Sequence, residues 1–167
     1  MNRRHAQGLT LIEVLVAVAI AAIMVGLAAP SFVQTLARSR LEGVATTLAM
    51  DIQYTRSEAI RRGGKHADTT LAGATLTIAA DGASYAITVT PASGAADVTM
   101  KTVTLPTGVT LAQGQPIRFE SLRGTTAAQS FEASSDLVST KLQVSINALG
   151  RVAMCSPSGV FSGYPSC

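Results

Sequence analysis

"GLTLIEVLVAVAIAAIMVGLAAP" occupies Gly8 to Pro30. A bilayer core takes about 20 apolar residues as a helix, and this run with its flanks is long enough to cross one. Arg3 and Arg4 precede it, and no charged residue occurs from Val14 to Ala37. Yet Glu13 stands near the start of the run. A carboxylate inside a membrane segment costs about 2.5–3.5 kcal/mol on insertion scales, and such residues are as a rule functional. A secretory signal peptide could use Ala17, Ala19, Ala21 and Ala22 as small residues near a cleavage site, but it has no use for Glu13. A plain single-pass anchor has none either. The two arginines place the N-terminus in the cytoplasm and the rest of the chain in the exported compartment.

The helical pattern continues beyond the apolar run. Leu9 to Ala37 is apolar all round, and from Arg38 the sequence becomes amphipathic. Leu41, Val44, Leu48, Ile52 and Ala59 recur at three-, four- and seven-residue steps, the spacing of one helix face. Arg40, Glu42, Asp51, Arg56 and Glu58 are charged positions around and opposite that stripe. Gly63-Gly64, after Arg61 and Arg62, is a helix C-terminus signal. Gly26 and Pro30 interrupt the pattern, and Pro30 should kink or loosen the helix because it cannot donate to the ladder. A helix of about 50 residues is about 80 Å long. Its first half must therefore lie in lipid or against other subunits.

Residues 65–154 read as strands. Leu76 and Ile78 alternate with threonines, Asp81-Gly82-Ala83-Ser84 is a turn signal, and Tyr85, Ile87 and Val89 alternate again, which predicts a hairpin. Val98, Met100, Val103 and Leu105 change phase midway, as a bulge or bend would. Ile117 and Phe119 form a short strand before Arg123-Gly124, and Leu142, Val144 and Ile146 give the cleanest alternation. Ala92 to Asp97 and Thr125 to Ser130 read as loops. The fold class is α+β: a long N-terminal helix, transmembrane and then amphipathic, packed on an antiparallel β-sheet. The segments are 1–8, a basic leader; 9–37, the apolar helix; 38–64, its amphipathic half; 65–154, the β domain; and 155–167, a C-terminal tail.

Cys155 and Cys167 bound that tail, and an even cysteine count in an exported domain favours a disulfide. Closing a loop of this size contributes about 3 kcal/mol in the chain-entropy view. A metal is the rival reading, but only His5 and His66 are present and neither has ligand spacing to the cysteines. No cofactor is expected. Net charge is +3, and the leader supplies two of those charges, so the basic balance says little about nucleic acid. Catalysis finds no support. Gly63-Gly64-Lys65 is followed by His66 where a phosphate loop needs Ser or Thr, and its preceding element is a helix. No GxSxG, HExxH or obvious carboxylate pair occurs.

The opening segment resembles the class III signal of type IV pilins and type II secretion pseudopilins. The matching residues are Arg3-Arg4, Gly8, then Leu9-Thr10-Leu11-Ile12-Glu13-Val14-Leu15, with Pro30 in register. The resemblance implies cleavage between Gly8 and Leu9 by a prepilin peptidase and N-methylation of Leu9, where most members carry Phe. Glu13 then becomes the fifth mature residue and Pro30 the twenty-second. Cleavage creates an α-amino group four residues before Glu13, and residues four apart share a helix face. In the family, this carboxylate pairs with a neighbouring subunit's N-terminal amine, and a buried charge that gains a partner escapes most of its desolvation cost.

A second resemblance is to the GspH/FimT family. It lies in "DIQYTRSEAIRRGG" (Asp51 to Gly64), where Thr55 replaces an alanine, in "IRFESLRG" (Ile117 to Gly124) and in "VSINALGRV" (Val144 to Val152). It implies a minor pilin or H-type pseudopilin, a structural and non-enzymatic filament subunit near the tip. Its partners would be prepilin peptidase, other pilins and the inner membrane, with exoproteins or DNA as further candidates. Some members bind DNA in natural transformation through Gly-Arg-x-Arg. Here that site reads Gly150-Arg151-Val152-Ala153, so the second arginine is missing. Fewer cationic contacts mean weaker phosphate binding, unless Arg118, Arg123 and Lys141 share a face with Arg151. The bland reading of Arg151 is a solvated strand-end residue.

Overall fold

The computed structural model describes residues 10–63, 73–91, 96–157, 159 and 161–167. Gly8, Leu9 and the leader, the stretch 64–72 with His66, and residues 92–95 of the expected 92–97 loop lie outside them. The chain divides into two units, one ending at Leu36 and one running from Ala37 to Cys167.

Helix α1 spans Leu11–Gly63. Its start is local chemistry: Glu13 N donates to Thr10 Oγ1 at 3.3 Å and to Thr10 O at 3.1 Å. Thr10-x-x-Glu13 thus has the spacing of a capping box, and an acid in the first turn suits the positive end of the helix dipole. The helix runs through Gly26 and Pro30 without ending. Pro30 leaves unbonded the carbonyl four residues back, which belongs to Gly26. The large apolar side chains from Leu11 to Leu36 are exposed, and α1 is long and apolar enough to cross a membrane.

From Ala37 onward one face of α1 is buried. Ala37, Leu41, Val44, Ala45, Leu48, Ile52 and Ala59 carry the stripe that the spacing predicts, and all belong to the buried set. Eight strands follow. β1 (Gly73–Ile78), β2 (Ser84–Thr90), β3 (Val98–Thr104) and β5 (Ile117–Phe119) form one antiparallel sheet in the order β3-β2-β1-β5. β4 (Val109–Leu111), β6 (Gln129–Ser135), β7 (Val138–Ile146) and β8 (Val152–Cys155) form another in the order β4-β6-β7-β8. Leu76, Tyr85, Ile87, Val89 and Phe119 of the first sheet and Phe131, Leu142, Val144 and Ile146 of the second join the α1 stripe in one core.

The phase change expected in β3 is a register shift opposite Ile87/Thr88. Three features differ from the sequence reading. The strands divide into two sheets. β4 is an additional strand, and β6 takes Gln129 and Ser130 from the expected 125–130 loop. Only Phe131 and Ala133 mark the apolar face of β6, and β4 is three residues long, so neither offers enough alternation to read. Finally, Asp51 and Glu58, placed by the spacing among the charges around and opposite the stripe, are buried.

Each buried acid has found partners. Asp51 accepts from Tyr85 OH at 2.7 Å and from Lys101 Nζ at 2.7 and 2.8 Å, which ties α1 to β2 and β3. Burial first, and the bond to Asp51 second, push the Tyr85 hydroxyl far above its usual pKa, so it stays a neutral donor. Glu58 takes Arg61 Nη2 at 2.7 Å and Arg62 Nε at 3.2 Å.

Candidate functional site

The three segments that carry the second resemblance meet at one corner of the domain. Arg56 stands on α1, half-buried. Its Nε donates to the carbonyl of Gly124 at 3.0 Å. One turn earlier on α1, Gln53 Nε2 donates to the carbonyl of Gly150 at 3.3 Å. Both glycines have left-handed backbones, φ 63° at Gly124 and 76° at Gly150. A Cβ on Gly150 would lie 2.7 Å from Arg56 Nε and 2.8 Å from Gly124 O. The two turns are therefore packed backbone to backbone, with the Arg56 side chain wedged against them.

Each turn is also fixed internally. Asn147 Oδ1 accepts from Leu149 N at 3.1 Å and Arg151 N at 2.9 Å, and Gly150 N donates to Asn147 O at 2.9 Å. In the other turn Gly124 N donates to Glu120 O at 2.8 Å, and Thr125 Oγ1 reaches Glu120 Oε2 at 2.6 Å. Thr126 N donates across to Ala148 O at 3.2 Å and joins the two turns.

Arg123 and Arg151 are each adjacent in sequence to one of these glycines, and both are exposed, so they flank the contact between the two turns. Arg118 lies on β5, with its Nε 3.8 Å from where a Gly73 Cβ would sit. Lys141 lies on β7 and is ion-paired with Glu132 at 2.6 Å, both side chains partly exposed to solvent. Sequence reasoning missed Arg56, reading it as one more charge off the apolar stripe. The signal was its place in the Tyr-Thr-Arg-Ser-Glu-Ala run. Thr55, the departure in that run, is fully buried, and its hydroxyl bonds back to Asp51 O at 2.7 Å, so the helix absorbs the change.

The tail is closed by a disulfide between Cys155 and Cys167, whose Cα atoms are 5.0 Å apart. Inside it Phe161 is buried and packs edge-on to Tyr164, with ring centroids 5.6 Å apart. Tyr164 OH donates to Glu42 Oε1 on α1 at 2.7 Å, which raises the tyrosine pKa. At the other end of the chain, Glu13 is exposed in the first turn of α1. Among the described residues no group of three His, Cys, Asp or Glu side chains could hold a metal ion.

Residues 3–29 match the prokaryotic N-terminal methylation motif. Residues 44–150 match the type II transport protein GspH, and this match takes in Arg56, Gly124 and Gly150. No curated protein and no solved structure matches the chain. The GspH match covers more than half of the chain, and with the methylation motif ahead of it the chain belongs to the type II transport protein GspH family, as a pilin-like subunit of the pseudopilin and minor-pilin type.

Proposed function

We propose that this chain is a filament subunit whose working element is α1. It waits in the inner membrane with its N-terminus in the cytoplasm and its β domain in the periplasm. Prepilin peptidase cuts between Gly8 and Leu9, and Leu9 is N-methylated. The subunit then leaves the bilayer for a type II secretion pseudopilus or a type IV pilus, near the tip, where exoproteins would be its outermost partners. Pro30 serves as the local break in the α1 ladder. The observation that carries this reading is Glu13, the only charge in an exposed apolar segment that runs to Leu36. Such a segment needs a covering, and such a carboxylate needs a cation. A neighbour's new α-amine supplies one. Glu13→Ala should leave cleavage at Gly8 intact and reduce filament incorporation; normal incorporation of that variant would sink the reading.

A second reading is a DNA-binding minor pilin acting in transformation. The approach of the Gly124 and Gly150 turns favours it, because Arg123 and Arg151 flank that contact and Arg118 is on the adjoining strand. A gel-shift titration of the full chain in detergent, with and without Arg151→Ala, tests it. Binding that weakens with salt and falls in the variant supports DNA as a partner. No shift at low salt ends this reading.

A further inference from the structure

The free edge of β8 borders a groove of about 470 Å³ against α1, lined by Thr46, Ala49, Met50 and Gln53 from the helix and by Val152 and Met154 from the strand. None of these side chains is charged. Among the described residues β8 pairs only with β7 and is the edge of its sheet. Asn147 N donates to Arg151 O at 3.0 Å where that hairpin closes. Antiparallel pairs alternate between bonded and non-bonded, so Ala153 and Cys155 face β7 with their backbone groups while Val152, Met154 and Ser156 turn theirs outward. Ser156 confirms the phase. Its N–H donates to Pro165 O at 2.8 Å, and its carbonyl accepts from Cys167 N at 3.3 Å, in a parallel bridge to the chain's own tail.

The tail therefore already adds a strand to this edge, but at one position only. Val152 and Met154 continue the same edge, and among the described residues no backbone partner meets their outward groups. One end of the groove is set by the disulfide tail, where Tyr164 lies against Glu42 with Thr46 beside it. The other end is set by Gln53 on the Gly150 carbonyl. Seven residues of helix rise about 10 Å, and four residues of strand about 13 Å, so the slot fits three or four residues of extended chain.

We propose that this slot receives an extended, uncharged segment of a neighbouring pilin-type subunit. That segment adds a strand to β8 alongside the tail and places apolar side chains against Ala49, Met50 and Met154. Main-chain hydrogen bonds would give affinity, and the uncharged walls would reject a segment with an inward charge. The proposal rests on the filament reading above.

The test places a photoreactive benzoyl-phenylalanine at Met50, which is 66% exposed, in the full-length chain in cells carrying its own filament system. A second chain carries the same group at Val16 to report filament membership. Crosslinks from Met50 to a β-region of another pilin-type subunit are expected. Met154→Pro removes an outward N–H without touching a bond to β7, and Ala49→Glu puts a charge in the wall without touching any backbone bond. Each should lower the Met50 crosslink about five- to tenfold, while Met154→Val stays within about twofold. Crosslinks from Met50 only to lipid, to a helical segment or within the same chain overturn the slot, as do undiminished yields in Met154→Pro and Ala49→Glu. Pilin crosslinks from Val16 with none from Met50 overturn the slot alone. None from either position overturns the filament reading and the slot with it.

Discussion

Arg56 Nε meets the Gly124 carbonyl at 3.0 Å and at the same time fills the space that a Gly150 side chain would need. One helical side chain thus holds two distant turns in contact. Gly150→Ala must adopt φ 76° and displace both Arg56 and the Gly124 backbone. We expect it to lower unfolding free energy by about 2–4 kcal/mol, from backbone strain plus overpacking. Gly159 has φ 64° but nothing within 4 Å of its Cβ position, so Gly159→Ala should cost only the backbone part, about 1 kcal/mol. Denaturant titration of the two variants compares them, and equal losses would contradict the wedge.

Glu58 predicts an acid limb to the stability curve. The Arg61 hydrogen bond lowers its pKa most, burial opposes, and Arg62 lowers it further. The folded pKa therefore lies below the unfolded value of about 4.3. The stabilisation is complete above that unfolded value and is lost as pH falls through the folded one. Because Arg61 is largely exposed, the effect is small, within the range of up to about 1 kcal/mol for surface pairs. Thermal midpoints of Glu58→Gln should be flatter than those of the parent below about pH 4.3, and parallel curves would remove Glu58 from the explanation.

The tail should depend on its disulfide. Replacing both Cys155 and Cys167 by serine frees a loop that buries Phe161 and seats Tyr164 on Glu42. A loss of about 3 kcal/mol follows from the reopened chain entropy. Limited proteolysis should then cut within 157–167 first, and an unchanged tail fragment pattern would contradict this.

The sequence made the helix and its buried stripe readable because Leu41, Val44, Leu48 and Ile52 repeat on one face over several turns. The hairpin of β1 and β2 was readable for a similar reason, strict alternation on both sides of Asp81-Gly82. β4 and β6 were not, since two or three apolar residues define no period. At the site, Gly124 and Gly150 were legible only as parts of two motifs, and nothing local says that two glycines 26 residues apart lie in turns that touch. Arg56 and Asp51 read only as charged positions around and opposite the stripe, because helical spacing reports a residue's angle around the axis and not which partner waits there. Asp51 is buried only because Tyr85 and Lys101 arrive from β2 and β3.

The most direct test is the mass of the N-terminal peptide of the chain isolated from cells that contain its processing machinery. We predict a chain that begins at Leu9 and carries one methyl group on that residue's nitrogen. A chain that retains residues 1–8, or one cut among Ala17, Ala19, Ala21 and Ala22 as a secretory signal peptide would be, contradicts a filament subunit built around Glu13.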